Sequence, residues 1–148
     1  MPTDTSTQSV VVPASKARVL RLLRDVAHQA EWIPEIRRAE VLERDGDLPV
    51  TAHFTAATPV GSDEYVLRYE HSDDGLAWSM VSGRLQTGQE GRYTLEPLGR
   101  GSTKVTYELT IHHHLPLPGF VRGRVIRGLV ASTLNGLAHR MGEGEASR

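Results

Sequence analysis

A chain of 148 residues, 39% hydrophobic and 24% charged, is sized for one domain that buries its own core. Its net charge of −1 offers no basic surface for nucleic acid, and the absence of cysteine removes disulfides, thiolate catalysis and cysteine-type zinc sites. No apolar run approaches the roughly 18 residues needed to cross a bilayer. The opening MPTDTSTQS lacks the basic-then-apolar order of a signal peptide, so a cytoplasmic location is expected.

Taken in order, Gln8 to Val12 is a β-branched run that reads as a first strand, ended by Pro13. Ser15 can cap a following helix, with Val19, Leu22, Leu23 and Val26 on its apolar face. His28 to Pro34 reads as a second short helical turn, stopped before the proline. From Ile36 the period becomes two. Six strands are expected: Ile36–Arg44, Val50–Ala57, Glu64–His71, Ala77–Ser82, Gly88–Glu96 and Thr103–His113. Glycine, aspartate and proline punctuate the breaks, and such short loops imply an antiparallel meander.

The last segment, Pro116 to Met141, returns to helical spacing. Val125, Ile126, Leu129, Val130, Leu134, Leu137 and Met141 form a wide apolar stripe, with Arg124, Arg127, Asn135 and His139 opposite. Only the strand-rich middle can cover that stripe. The fold class is therefore α+β: a curved seven-stranded antiparallel sheet wrapped around a long C-terminal helix, with two short helices after strand 1. We expect a single domain over residues 1–148, ordered over about 9–141 and loose at 1–7 and 142–148. Glycines 123, 128 and 136 cost the helix about 1 kcal/mol each against alanine. They point either to close approach by a neighbour or to a helix that shifts to admit a ligand.

Several segments together resemble a known family. They are Val10–Val19 (VVVPASKARV), Asp25 followed by Trp32-Ile33-Pro34-Glu35-Ile36, and Val41-Leu42-Glu43-Arg44. To these are added Tyr93-Thr94-Leu95-Glu96-Pro97, Gly101 to Tyr107, and Pro116 to Phe120. From about Ser9 to Met141 the chain resembles the START-like, helix-grip superfamily, in its polyketide cyclase/dehydrase and lipid-transport branch. The resemblance implies a helix-grip fold that holds apolar small molecules between sheet and helix, and in some members closes and dehydrates polyketide rings.

Parity assigns the candidate residues. Tyr65, Leu67 and Tyr69, then Trp78 and Met80, then Tyr93, then Tyr107, Leu109 and His113, project to the inner face of their strands. Ile126, Leu129, Val130 and Thr133 face them from the helix, and Trp32 stands near the cavity entrance. These fourteen are the expected pocket lining, each with a plainer reading as core filler. A phenol in a cavity can donate to a ligand carbonyl or act as a weak acid. Arg68, the cation a cyclase would want near a forming enolate, points outward by parity. His112-His113-His114 alternates faces and lacks a converging third ligand, so no metal site is expected. The acidic pairs Asp63-Glu64 and Asp73-Asp74 read as solvated turns. No catalytic residue and no cofactor is assigned.

The leading functional expectation is a monomer or homodimer that binds a small, mostly apolar, lipid- or polyketide-like molecule, without catalysis. The alternatives are an aromatase/cyclase using tyrosines and His113, and a packed domain acting through its surface. The last requires that no cavity of roughly 300 Å³ lie between helix and sheet.

Overall fold

The computed structural model describes residues 3–146, with side chains as far as Gly142. Strand β1 (Thr3–Val12) leads into helix α1 (Lys16–Arg24) and a 3-10 segment (Val26–Glu31). Six strands follow: β2 (Ile36–Asp45), β3 (Leu48–Thr58), β4 (Gly61–Ser72), β5 (Gly75–Gly83), β6 (Gln86–Pro97) and β7 (Thr103–His113). Helix α2 (Gly119–Ala146) closes the chain. The strands form one antiparallel sheet in the order β1-β7-β6-β5-β4-β3-β2. The meander thus runs from one edge to the other, and β1 joins beside β7. Helix α1 and the 3-10 segment carry the chain between the two edge strands.

Local signals placed these elements well. Ser15 caps α1 by accepting the Arg18 N–H at 3.3 Å. Strands β2 to β6 extend one to three residues into the turns that were to bound them, and the limits of β7 agree. The larger difference is β1, which begins at Thr3 rather than Gln8. Residues 3–7, expected to be loose, continue the β7 ladder from Ser9↔Thr106 to Thr3↔His112. Their outer side chains pair by hydroxyl contact, Thr5 with Thr110 at 3.0 Å and Ser9 with Thr106 at 2.9 Å. Apolar alternation is absent there, so periodicity could not reveal the strand. At the other terminus α2 runs to Ala146, beyond the expected end at Met141, and begins at Gly119 rather than Pro116. Residues 1–2 and 147–148 of the expected loose ends lie outside the described residues.

The core sits between the concave face of the sheet and α2. Val130, Leu134 and Leu137 are buried on the helix, with Val12, Leu95, Val105 and Leu109 on the sheet and Val19 and Leu23 on α1. Gly136 explains how closely α2 seats. A Cβ there would lie 2.1 Å from the main-chain carbonyl oxygen of Trp32, so the helix backbone rests on the end of the 3-10 segment. Of the two readings of the helix glycines, close approach holds at Gly136. It does not hold at Gly128, where a Cβ would meet nothing within 4 Å.

Candidate functional site

Helix α2 lies along β1, where Gln8 Nε2 donates to the Arg127 carbonyl at 3.0 Å, and its C-terminal half is the more deeply buried, through Val130, Leu134 and Leu137. Between the N-terminal half of α2 and residues of strands β1, β2, β3, β4, β6 and β7 lies a cleft of about 450 Å³. Ile36, Ala56, Tyr65, Ile111, Leu115, Leu117, Val125, Ile126 and Leu129 supply mostly apolar walls. A void of about 50 Å³ lies deeper, against Phe54, Leu67, Tyr69, Trp78, Tyr93, Tyr107 and Thr133. Ile36, Tyr65, Gln89 and Leu129 border both spaces and form the junction.

The expected lining therefore separates into three groups. Tyr65, His113, Ile126 and Leu129 reach the cleft. Leu67, Tyr69, Trp78, Tyr93, Tyr107 and Thr133 reach only the small inner void. Trp32, Met80, Leu109 and Val130 border neither. Leu109 and Val130 are wholly packed core. Met80 is half-buried, its thioether against Gly83. Trp32 is buried under α2 and borders a groove on the outer side of that helix, with Pro34, Ser132 and Gly136. Parity found the inner face correctly, but it cannot tell packed inward residues from those that meet empty space.

An aromatic cluster explains why the inner void is small. Tyr93 and Tyr107 pack tilted across β6 and β7 with ring centroids 4.6 Å apart, and Trp78 lies 5.2 Å from Tyr93 and 5.9 Å from both Tyr69 and Tyr107. The Trp78 indole lies over Gly91, its cross-strand partner, where a Cβ would fall 2.1 Å from the ring. Glycine at that position is what lets the indole lie flat on the sheet. Burial pushes all four phenols up from the ordinary tyrosine range. Asp63 adds to this at Tyr65, and Tyr65 and Glu35 add at Tyr107. Held protonated, they are poorer acids than free phenols.

The cleft's polar rim was largely missed from sequence. His113 Nε2 donates to Asp4 Oδ2 at 2.6 Å, and Nδ1 accepts the Leu115 N–H at 3.0 Å. Arg122 Nε reaches the other Asp4 oxygen at 3.4 Å, and its Nη1 donates to the Leu117 carbonyl at 3.3 Å. This clasp ties β1, β7 and α2 to the loop whose leucines line the cleft. Both ring nitrogens of His113 are engaged by the protein, one by the Asp4 carboxylate and one by the Leu115 N–H. Its neighbours in the run diverge. His112 bridges Thr3 and Glu90 on the outer face, and His114 is exposed.

Asp63 corrects another expectation. It is fully buried, not solvated, and accepts the Leu85 N–H at 2.8 Å and Gln86 Nε2 at 2.9 Å. It thereby holds the β5–β6 turn and fixes Gln86 at the cleft wall. Asp74, by contrast, is exposed and pairs with Lys16 at 2.6 Å. Arg68 is exposed, as parity required. Glu35 lies on the cleft wall and accepts from Ser132 Oγ at 3.2 Å. No sequence signal distinguished Asp4, Glu35, Gln86, Gln89 or Arg122, because their partners lie far away along the chain.

A seven-stranded antiparallel sheet gripping a C-terminal helix, with a cleft beside the helix's N-terminal half, defines a helix-grip protein of the START type. Solved structures agree on the fold. A START superfamily protein from Mycobacterium smegmatis superposes with a TM-score of 0.86 at 22% identity, covering 94% of this chain and 97% of that one. An aromatase/cyclase from a Streptomyces species gives 0.82 at 13% identity, covering 95% and 94%. A protein from Thermus thermophilus gives 0.77 at 23% identity, covering 97% and 99%. At these identities the likeness is one of fold. The family described as polyketide cyclase/dehydrase and lipid transport matches residues 3–142, and the chain belongs to it. A search of curated proteins gave no match. Among the described residues no helix is long and apolar enough to cross a membrane.

Proposed function

We propose that this protein binds a small, mostly apolar molecule in the cleft between the sheet and the N-terminal half of α2. The observation that carries the reading is the cleft itself, about 450 Å³ with largely aliphatic walls. That volume is within the range of small-molecule sites. It argues against a packed domain acting only through its surface. A ligand burying roughly 200 Å² of apolar surface would gain about 5 kcal/mol before association costs. The aromatase/cyclase alternative has less support. Its candidate proton carrier, His113, has both nitrogens engaged, and the inner phenols are held protonated. Binding without turnover is the reading we favour.

The test is native mass spectrometry of freshly purified protein, followed by titration with the fluorescent probe anilinonaphthalene sulfonate. We expect either a co-purified apolar mass or saturable probe binding. Leu129→Trp, which places an indole at the junction of the two spaces, should weaken probe binding at least tenfold. A wild type that carries nothing, takes up no probe and gains no thermal stability from apolar compounds would sink the proposal.

A further inference from the structure

Gln89 is the anomaly of the inner sheet face. Along β6 the inward positions are Gln89, Gly91, Tyr93 and Leu95, so a long amide occupies a place where the alternation calls for an apolar group. It is buried to 6% exposure, and cross-strand it faces Ile111. Its Oε1 is shut off from solvent and has no hydrogen-bond partner among the described residues. A buried amide left unpaired costs stability, so an apolar residue would suit an empty protein better. The neighbouring Gln86 also has an unpaired Oε1, but its Nε2 is committed to Asp63, which gives that amide a structural task. Among the described residues no other side-chain hydrogen bond gives Gln89 such a task. It stands instead at the junction of cleft and inner void, beside Ile36, Tyr65 and Leu129.

We propose that Gln89 is the specificity-determining residue of the cleft, and that the ligand is an apolar body bearing a hydroxyl group that docks on its amide. The terminal torsion of a glutamine is soft, so the amide can turn to meet a group arriving in the cleft. A hydroxyl both donates and accepts, so it answers either edge of the amide. The rest of the ligand lies toward the mouth, along Ile111, Ile126 and Leu129. This inference rests on the binding role proposed above and adds to it the chemistry of the ligand's inner end.

The test uses two probes of nearly equal shape, 2-naphthol and 2-methylnaphthalene, titrated into wild type, Gln89→Leu and Gln89→Met by displacement of a fluorescent probe or by calorimetry. Removing the amide should weaken naphthol relative to methylnaphthalene by about tenfold, the factor expected for one buried hydrogen bond. Methylnaphthalene should bind both variants at least as well as wild type, which also shows that they are folded. If both compounds bind and their ratio is the same in all three proteins, Gln89 does not select a hydroxyl and the inference fails alone. If neither compound binds wild type, the cleft reading fails and takes the inference with it.

Discussion

Two glycines of α2 should respond oppositely to the same substitution. Alanine in a helix interior is favoured over glycine by about 1 kcal/mol, so the intrinsic gain is equal at both sites. At Gly128 a Cβ meets nothing within 4 Å, and the gain should be realised nearly in full. At Gly136 the new Cβ would sit 2.1 Å from the Trp32 carbonyl oxygen, whereas an ordinary contact needs about 3.4 Å. The Cβ position is fixed by the helix backbone and the oxygen is itself main chain, so neither can swing away. Either the helix lifts by about 1 Å or the 3-10 segment moves, and Val130, Leu134 and Leu137 lose part of their packing. Overpacking of this kind costs roughly 1–3 kcal/mol, and more when backbone must shift. The net expectation is that Gly136→Ala destabilises by about 2 kcal/mol while Gly128→Ala stabilises by up to about 1 kcal/mol. In a domain of this size each kcal/mol moves Tm by roughly 2–4 °C. Urea unfolding followed by circular dichroism gives both free energies, and thermal melts check the sign. Equal stabilisation of the two variants would show that α2 does not seat on the Trp32 carbonyl.

Two further outcomes are expected. Asp63→Ala strips the Leu85 N–H and the Gln86 amide of their acceptor in a buried place. It should cost roughly 2–4 kcal/mol in urea unfolding, and a loss below about 0.5 kcal/mol would mean the β5–β6 turn holds itself. The hydrogen bond and charge of Asp25 raise the pKa of His28 above its ordinary 6.5. The small stability this contributes is present below pH 6.5 and disappears as pH rises through the higher folded value. A proton NMR titration should place the His28 midpoint above 6.5, and Asp25→Asn should bring it back down. A midpoint unmoved by that substitution would show that Asp25 is not the cause.

The sequence by itself determined where the backbone has period two and where it has period 3.6, because those periods arise between residues two to four positions apart. That was enough to name the meander, the Ser15 cap, the inward tyrosines and the buried stripe of α2. The lower end of β1 escaped because threonine and serine hydroxyls, paired across to β7, replaced the apolar alternation that marks a strand. Asp63 escaped because an acidic pair before a strand looks the same whether its carboxylate meets water or a turn 22 residues away. The clasp of Asp4, His113 and Arg122 depends on bringing together groups more than 100 residues apart. Only the tertiary structure decided which inward residues meet empty space. That depends on the gap between two surfaces, and the gap depends on where α2 seats: closed where Gly136 touches Trp32, open where Val125, Ile126 and Leu129 line the cleft. A side chain's direction is a local property of its strand or helix. The volume left in front of it depends on how every neighbouring element packs.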